Sequence, residues 1–448
     1  MRLLKANSQD MHARIQEDDL CQTFKDALYI TRALGFYYIW IDSLCIIQDD
    51  PDDWRKEASK MCGVYSGSTL TLAASSAPDG SYGCLRNRSP ETLRRIRRYS
   101  IPIPVNGISR MYDFLDLKLH EENIQKSPLS TRGWVLQERV LSPRTLHFTD
   151  MQLYWECNEK IACETFQEKL HYTEPDDLTE RTNHRALWAS IVHHYTRRNL
   201  KYGSDKLIAM SGMAQWVHHQ TGDQYLAGLW KKSLELQLIW EFEGSHGQYF
   251  EGRAPSWSWA AYDGAIDMLD QMPTASRFLV SLVATEIYPV GDDLYGPVAS
   301  GKLRLEVPLL LGVTLRFDHT RTRIKDCGLL SNGKPNPVSI AEDKREYSQW
   351  PLEWYCLPIL EIDDGEDKLF SGLMVEATKD GVRGQFRRVG NFRVGQGQYG
   401  DSKFPKRHAK FVSAMRDPKC WAERSVFEPS EQKTLYNSKK DKLYITLV

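Results

Sequence analysis

Long hydrophobic runs, an excess of charge of either sign and internal repeats are all missing from this 448-residue sequence. The longest apolar runs, such as residues 39–41 and 307–311, have only the length of a strand, whereas a membrane-spanning helix needs roughly 20 apolar residues. The 58 basic and 59 acidic side chains give a formal net charge of −1, which removes the electrostatic case for a general binder of nucleic acid or anionic membranes. We therefore expect neither a nucleic-acid partner nor a membrane span.

Secretion and metal-binding patterns are absent as well. The N-terminal residues carry charges throughout and have neither an apolar core nor a small-residue cleavage site, so we expect no signal peptide. The nine cysteines include no CxxC pair, a distribution typical of reduced thiols, and we predict a cytoplasmic protein. Cys157 and Cys163 are the closest pair, but five residues separate them and no histidine is near, so we predict no metal site.

Several common catalytic motifs do not occur. Without GxxxxGK(S/T), GxSxG or HExxH, the kinase, lipase-type and zincin classes have no support. Residues 395–400 do match GxGxxG after a strand-like run. A dinucleotide-binding fingerprint has to open a helix, whereas Asp-Ser-Lys-Phe-Pro follows here. We interpret this motif as a flexible connection between strands.

Hydrophobic periodicity divides the chain into three regions. Residues 1–165 alternate helix and strand, which predicts an α/β domain with a parallel sheet. Residues 166–250 follow a mainly helical pattern, with Tyr225 and Leu229 among its apolar positions. Residues 251–448 are β-rich. The predicted strands of this last region are Phe278–Ala284, Leu303–Leu311, Trp354–Leu360, Gly372–Ala377 and Phe386–Val394.

The first region contains the pattern of a strand–helix–strand unit. Residues 20–34 have helical spacing, and residues 37–42 form an aromatic and β-branched run typical of a strand. Asp50 and Pro51 then mark a helix start. The face of this helix comprises Trp54, Ala58, Met61 and Tyr65. Residues 69–74 form the next strand, so we expect residues 37–42 and 69–74 to pair in parallel with a right-handed crossover.

The rest of the first region is less regular. Residues 78–127 contain an arginine cluster from Arg86 to Arg98, which we interpret as part of a solvated insertion. A helix is predicted over residues 131–140. The segments 145–148 and 152–156 resemble the two strands of a hairpin.

Asp42 is the first candidate site residue. Ligand clefts in open α/β sheets form beyond the carboxyl ends of parallel strands, and Asp42 ends the strand predicted over residues 37–42, followed by Ser43. A carboxylate there can bind sugar hydroxyls or orient a catalytic group. Equally, Asp42 can simply cap the turn that follows.

Glu138 is the second candidate. On a helix, Trp134 and Glu138 are i,i+4 neighbours, so an indole could stack on an aromatic ring while the acid steadies a developing positive charge, as cleavage of a glycosidic bond requires. The alternative is a core tryptophan beside a structural ion pair between Glu138 and Arg132, Arg139 or Arg144. The residues alone favour this alternative.

Two long strings resemble a known family. Residues 38–50, with Asp53-Trp54, Glu57, Met61 and Tyr65, resemble the second signature block of fungal heterokaryon incompatibility (HET) domains. Residues 128–144, Pro-Leu-Ser-Thr-Arg-Gly-Trp-Val-Leu-Gln-Glu-Arg-Val-Leu-Ser-Pro-Arg, resemble the third block. Segments near residues 205–212, 225–230, 254–260 and 387–390 resemble the companion region of such proteins.

The resemblance implies a role in fungal self/non-self recognition, in which HET domains trigger cell death on hyphal fusion. It also implies a distant likeness to TIR domains, some of which hydrolyse NAD with an essential glutamate, although fold alone does not establish activity. NAD then becomes a candidate substrate, and no bound cofactor is implied. Glu138 is the favoured catalytic acid and Glu57 the second choice. The positions assigned to ligand binding are Asp42, Ser43, Arg132 and Trp134.

One departure from the family pattern bears on activity. HET domains usually open with a strand carrying a block similar to Ala-Leu-Ser-Tyr-x-Trp-Gly, and this sequence contains no such block. We therefore expect a truncated or degenerate member, with an exposed sheet edge or apolar face where a strand is missing. The rival to an enzyme is a non-enzymatic module that signals by binding protein partners or by self-association.

Overall fold

The computed structural model describes most of the chain. The described residues are 1–95, 99–106, 108–114, 117–168, 184–244, 247–317, 324–329, 336–337, 339–342, 354–363, 368–378, 380–394, 411, 413–416, 422, 424–428 and 442–448. The chain forms two compact units, and both are discontinuous in sequence. Unit 1 comprises residues 1–180, 198–203 and 208–216, and unit 2 comprises residues 181–197, 204–207 and 217–448.

Unit 1 is a mixed α/β structure. Its helices are α1 (Ser8–Ala13), α2 (Gln22–Ala33), α3 (Asp42–Cys45), α4 (Pro51–Ser66), α5 (Pro90–Arg95), α6 (Leu117–His120) and α7 (Gly133–Leu141). Its strands are β1 (Thr71–Ala73), β2 (Tyr99–Val105), β3 (Ile108–Phe114), β4 (Arg144–Phe148), β5 (Leu153–Cys157) and β6 (Ile161–Cys163). Short 3₁₀ turns lie at Lys5–Asn7, Glu17–Asp19 and Leu129–Thr131.

Helices α2 and α4 confirm the sequence pattern. Helix α2 ends before Gly35, whose φ of +80° is a left-handed conformation that glycine adopts without strain. Helix α4 begins at Pro51, and the Asp50 carboxylate accepts a 3.1 Å hydrogen bond from the Asp52 amide as an N-cap. Met61, on the predicted apolar face, is buried. Capping chemistry and periodicity together are sufficient to locate both helices.

The parallel strand pair exists, but its members are not the predicted ones. Strand β1 pairs in parallel with β4, with Leu72 opposite Leu146, and β4 pairs with β5 in the predicted antiparallel hairpin. Among the described residues the sheet order is β1-β4-β5-β6. The prediction that residues 37–42 pair with residues 69–74 is wrong.

Residues 37–41 form no strand. Tyr37 and Tyr38 are 92% and 93% exposed. Strand preference of aromatic and β-branched residues reflects packing on a half-buried pleated surface rather than an intrinsic backbone preference, and these residues have no such surface. Asp42 consequently does not end a strand: it begins the short helix α3.

Unit 2 contains most of the β-structure. Its helices are α8 (His184–Thr196), the C-terminal part of α9 (Ile208–Thr221) and α10 (Leu234–Leu238). Its shorter strands are β7 (Tyr225–Leu226), β8 (Leu229–Trp230), β9 (Glu241–Phe242), β10 (Gln248–Tyr249), β11 (Tyr262–Asp263), β12 (Ile266–Asp267) and β13 (Ser276–Phe278). The later strands are β14 (Ser281–Pro289), β15 (Val298–Val307), β16 (Leu311–Phe317), β17 (Ile324–Leu329), β18 (Asn336–Pro337), β19 (Ser339–Glu342), β20 (Trp354–Asp363), β21 (Lys368–Ala377), β22 (Gln385–Val394) and β23 (Leu443–Leu447).

One large sheet organises unit 2. Its strand order within the described residues is β14-β15-β23-β22-β21-β20-β16-β17-β18, with β13 on β20 and β19 on β22. The β-rich prediction for this region is confirmed by strands β14, β15, β20, β21 and β22. The helical prediction fails at Tyr225 and Leu229, which lie in the short hairpin β7–β8. That hairpin turns at Ala227 and Gly228, both with positive φ, a signal too local for helical periodicity to show.

Two predicted features fall partly or wholly outside the described residues. The GxGxxG segment at 395–400 lies outside them, as do residues 96–98 of the arginine cluster. Within the described part of that cluster, Arg88 forms an ion pair with Glu164, and Arg86 stacks 3.4 Å from the Tyr82 ring centroid. In the part of the chain that the structure describes, no helix is both long and apolar enough to cross a membrane.

Candidate functional site

Helix α7 carries Glu138, and its start is fixed by the segment that contains Arg198. The Gly133 amide donates to the Asn199 carbonyl at 2.8 Å, and the Asn199 amide donates to the Thr131 carbonyl at 2.7 Å. A Cβ at Gly133 would lie 2.6 Å from Cδ2 of Leu200, so only glycine permits this approach without displacement. Arg198 is thereby held beside helix α7 within unit 1.

Helices α3 and α4 supply the groups that surround Glu138. Tyr65, in the last turn of α4, donates a hydrogen bond to the Glu138 carboxylate. Asp42, the exposed first residue of α3, has its Oδ1 2.6 Å from the Ser43 amide that donates to it. Its charge acts on both Glu138 and Tyr65. Residues of α3 and α4 therefore act on the carboxyl group that α7 carries.

Glu138 has an unusual pKa. Desolvation by burial, followed by repulsion from the Asp42 charge, raises the pKa of the Glu138 carboxyl to about 7. The positive charges of Arg132 and Arg198 and the hydrogen bond from Tyr65 act in the opposite direction but do not offset burial. Glu138 consequently exchanges its proton near neutral pH.

Tyr65 remains protonated under the same influences. Burial, and then the negative charges of Glu138 and Asp42, raise the pKa of the Tyr65 hydroxyl well above its usual value. The hydroxyl therefore acts as a hydrogen-bond donor at every pH at which Glu138 titrates. The Trp40 ring lies edge-on to Tyr65, with centroids 5.8 Å apart, and this contact restricts the tyrosine ring.

Trp134 is placed on the same helix face as Glu138. Its ring meets Trp54 of α4 edge-to-face, with centroids 5.7 Å apart, and it keeps partial solvent exposure. Arg132, immediately before α7, is exposed. Stacking at Trp134 and charge recognition at Arg132 are therefore both available to a molecule that approaches Glu138.

Glu57 and Ser43 are placed differently. The Glu57 carboxylate forms a 2.7 Å ion pair with Lys60 one turn along α4. Its charge, after that of Asp42, contributes to raising the pKa of the Cys45 thiol, for which burial is the main cause. The Ser43 carbonyl accepts a 2.8 Å hydrogen bond from the Leu3 amide. The contacts of these two residues are thus with their own neighbourhood rather than with Tyr65 and Glu138.

A second carboxylate, Glu156 on β5, is mostly buried and is not among the sequence candidates. It accepts two hydrogen bonds of 2.7 Å from Arg139 and lies 2.9 Å from Nε2 of His147. Nδ1 of His147 is 3.0 Å from Oγ of Ser75. Ser75 and His147 are both buried, so this serine–histidine–glutamate chain lacks the accessible nucleophile that covalent catalysis needs. We interpret the cluster as a structural link between β4, β5 and α7.

Sequence reasoning also left Tyr65 and Arg198 out of the candidate list. Tyr65 belongs to the predicted apolar face of α4 and to the residues that resemble the second HET block, but neither pattern shows what the tyrosine hydroxyl meets. Arg198 lies 60 residues beyond Glu138 in the sequence, and no local pattern links the two. Among the described residues, no group of three or more His, Cys, Asp or Glu side chains is arranged to hold a metal ion.

The comparison with protein families bears on the part of the chain that contains these residues. The family model described as heterokaryon incompatibility protein (HET) matches residues 2–138. Residues 2–138 are therefore similar to the HET family. The resemblance seen in the sequence is confirmed over this range. No curated protein and no solved structure matches the chain.

The HET region, residues 2–138, contains all six predicted site residues. Glu138 is its last matched position, so the match ends inside helix α7. Arg198, whose charge acts on Glu138, lies outside the HET region. Chemically, the arrangement offers a carboxyl that changes protonation near pH 7, a permanent cation and a partly exposed indole within unit 1, a combination suited to general acid–base work.

Proposed function

We propose that this protein acts in fungal self/non-self recognition and promotes cell death, and that its HET region does so by hydrolysing NAD with Glu138 as the general base. The single observation that carries the proposal is the pKa of about 7 at the Glu138 carboxyl. General bases work best when their pKa lies near the operating pH. Perturbed carboxyl groups of this kind concentrate at functional sites.

The reaction needs a general base and side chains that bind the charged groups of NAD. The oxygen of a water molecule bonds to C1′ of the ribose that carries nicotinamide, while its proton passes to the Glu138 carboxylate. The bond from C1′ to the pyridinium nitrogen breaks, and its electron pair neutralises that nitrogen. Nicotinamide and ADP-ribose are the products. No acid has to protonate the leaving group, because nicotinamide leaves as a neutral molecule.

The surrounding residues have complementary roles in this proposal. Arg132 is exposed beside Glu138 and supplies a cation for the pyrophosphate of NAD. Trp134 provides an aromatic face for a ring of the dinucleotide. Asp42 is exposed and accepts from ribose hydroxyls, and its negative charge also favours the oxocarbenium character of the transition state. Tyr65 holds the Glu138 carboxylate in place by donating a hydrogen bond.

The decisive experiment compares the purified full chain with its Glu138→Gln variant. Nicotinamide release from NAD is measured by chromatography at high protein concentration. We expect a loss of at least about 100-fold in turnover, the lower bound usual for removing a general base. Glu159→Gln is the matched control, because Glu159 is exposed and lies on the β5–β6 turn, away from the Glu138 group.

A Glu57→Gln variant completes the set. If Glu57 rather than Glu138 were the catalytic carboxyl, turnover would fall in Glu57→Gln and survive in Glu138→Gln. Circular dichroism of each variant reports whether the fold is retained. If the full chain releases no nicotinamide although its circular dichroism shows that it is folded, the enzymatic proposal is contradicted.

A second candidate function, protein binding without catalysis, is favoured by one surface feature. The aromatic patch consists of Tyr29, Leu34, Phe36, Tyr37 and Tyr38, with exposed fractions of 64%, 49%, 37%, 92% and 93%. These exposed side chains lie close together in the sequence, and exposed apolar patches mark interaction surfaces. In this candidate the patch mediates self-association of the chain.

Sedimentation velocity over a range of concentrations tests the second candidate. Self-association through the patch predicts a concentration-dependent sedimentation coefficient for the full chain and a constant, monomeric one for the Tyr37→Ser/Tyr38→Ser double variant. A full chain that stays monomeric throughout the range contradicts it. The Glu138→Gln variant should self-associate like the unmodified chain, so the two candidates are separable.

A further inference from the structure

Unit 2 contains a cavity that the function proposed for the HET region does not use. Its volume is about 350 Å³, at the lower end of the range for small-molecule sites. The cavity is lined by the first turns of helix α8, the β7–β8 hairpin and the end of α9. Met268 and Leu269 also belong to the lining. All of the lining residues belong to unit 2.

Trp230, one of the lining residues, has an unused hydrogen-bond donor. It lines the cavity and is 5% exposed. Within the described residues, its indole Nε1 has no hydrogen-bond partner. By contrast, Nε1 of Trp188, which also lines the cavity, donates to the Gly228 carbonyl at 3.0 Å. A buried indole N–H without an acceptor is unfavourable, and a ligand with an acceptor at this point would remove that penalty.

The Trp230 ring is held in place by its neighbours. Its centroid is 5.3 Å from that of Trp188 and 5.2 Å from that of Tyr225, both edge-on. The Trp230 amide and carbonyl are both bonded to the Gln237 side chain at 2.9 Å. The donor is thus fixed in direction before any ligand arrives, which reduces the entropic cost of binding.

The charged residues of the lining favour a negative ligand. Arg185 and Lys232 line the cavity, and the N-terminal end of helix α8 adds the positive pole of its dipole. The acid of the lining, Asp223, is buried, and its carboxylate already accepts from the amides of Gln224 at 2.8 Å and Lys232 at 3.1 Å. The lining therefore carries two cationic side chains, Arg185 and Lys232, against the one carboxylate of Asp223, which favours an anion.

The remaining walls are apolar. Ala189, Val217, Met268 and Leu269 face the same space as the Trp188 ring. These side chains offer no hydrogen bonds and favour a flat hydrophobic body. The cavity therefore combines one oriented donor, two cations and an apolar slot.

We propose that this cavity binds a small aromatic carboxylate. The carboxylate accepts from Nε1 of Trp230 and is neutralised by Arg185 and Lys232, while the aromatic body packs between Trp188 and the aliphatic wall. A volume of about 350 Å³ accommodates one or two fused rings but not a dinucleotide, so the site is distinct in ligand class from the one proposed around Glu138.

Isothermal titration calorimetry of the full chain with 2-naphthoate tests the site. 2-Naphthylmethylammonium, which has the same ring system and the opposite charge, is the matched ligand. We expect saturable binding of 2-naphthoate below about 1 mM and at least about tenfold weaker binding of the cation, since each factor of ten corresponds to about 1.4 kcal/mol. Equal affinities, or no saturable binding of 2-naphthoate, overturn the proposal.

Two variants locate the binding. Trp230→Phe keeps the ring and removes the donor, and should weaken 2-naphthoate binding about three- to tenfold. Trp257→Phe is the matched control, because Nε1 of Trp257 is also buried without a partner among the described residues but does not line the cavity. Arg185→Gln changes an exposed residue and should weaken binding while reducing its dependence on salt, with circular dichroism as the check on the fold. Unchanged affinity in both Trp230→Phe and Arg185→Gln overturns the assignment.

Discussion

Arg139 and Glu156 form a bidentate ion pair, with Nε and one terminal nitrogen of the guanidinium each 2.7 Å from a carboxylate oxygen. Arg139 is the residue after Glu138, and successive residues on a helix point about 100° apart. Helix α7 therefore directs an arginine towards β5 and a glutamate towards α3 and α4. Arg139 is therefore paired with Glu156 and not with its chain neighbour Glu138.

The two carboxyls consequently have opposite acid–base behaviour. Burial raises the pKa of both, but for Glu156 the charges of Arg139 and His147 reverse that effect and hold its pKa well below the usual value. For Glu138 burial prevails, with Asp42 adding to it. Pairs of acids pushed apart in this way are typical where one has a structural role and the other a chemical role.

Replacing Glu156 should destabilise unit 1. The Glu156→Gln change leaves the largely buried Arg139 guanidinium without its counter-charge, at a cost of about 3–5 kcal/mol. Because the folded pKa of Glu156 is depressed, its contribution is present above its ordinary value of 4.5 and is lost as pH falls through the folded value. Urea unfolding followed by circular dichroism at pH 7 and at pH 3 measures both effects. Glu159→Gln should unfold like the unmodified chain at both values.

Replacing Glu138 should have the opposite effect on stability. A folded-state pKa of about 7 against an ordinary 4.5 means that the folded protein binds more protons between these values, so its stability falls as pH rises from about 4.5 to about 7. Glu138→Gln removes this loss. The unfolding free energy of the variant, taken relative to the unmodified chain, should therefore be about 1–3 kcal/mol higher at pH 8 than at pH 4.5. Hydrogen exchange of β1 and β4 amides at the two pH values measures it. A variant less stable than the unmodified chain at pH 8 would contradict a carboxyl whose pKa is raised in the folded state.

The same titration should appear in the pH dependence of NAD hydrolysis. As the general base, Glu138 has to be deprotonated, so the rate should rise about tenfold per pH unit below about 7 and level off above it. Initial rates of nicotinamide release in buffers of constant ionic strength give the profile. Tyr65→Phe, which removes the hydrogen bond that lowers the pKa of Glu138, should move the midpoint to higher pH. A profile without a midpoint near neutrality excludes Glu138 as the base.

Gly133 and Gly63 should respond to alanine in opposite ways. At Gly133 a Cβ would lie 2.6 Å from Cδ2 and 3.0 Å from Cγ of Leu200, so Gly133→Ala should cost about 1–3 kcal/mol through overpacking. At Gly63, within helix α4, a Cβ meets nothing within 4 Å, and Gly63→Ala should add about 0.5–1 kcal/mol through helix propensity. Urea midpoints of the two variants test the pair. Equal effects in both variants would refute the close approach at Gly133.

The sequence was most informative where the physics is local. The start of α4 followed from Asp50 and Pro51, and the β4–β5 hairpin followed from two short strand patterns around Thr149-Asp150. The strand predicted at residues 37–42 is absent for a clear reason. Strand propensity describes how a residue fits against a neighbouring strand, and the sequence of the segment does not show whether that neighbour exists. For the same reason β1 was placed correctly but given the wrong partner.

The candidate site shows the same division. Helical spacing placed Trp134 and Glu138 on one face of α7, as expected for i,i+4 neighbours. Spacing could not show that Tyr65 would donate to Glu138, nor that the charge of Arg198 would act on it, because both depend on how α4 and the residues around Asn199 pack on α7. The Glu156 cluster was missed because its members, Ser75, Arg139, His147 and Glu156, lie on four separate segments.

The limits of the family match and of unit 1 do not coincide, and this matters for how the chain is made. When residue 138 has just been added during translation, neither β4 nor Asn199 has been synthesised. Strand β4 is the partner of β1, and Asn199 forms the hydrogen bonds that fix the start of α7. The first unit is complete only after residue 216, so residues 181–197 of the second unit emerge in between. Folding of unit 1 during synthesis therefore has to wait until almost half of the chain is made. A chimaera joined after residue 138 would therefore lack β4 and Asn199, and its unit 1 would be incomplete.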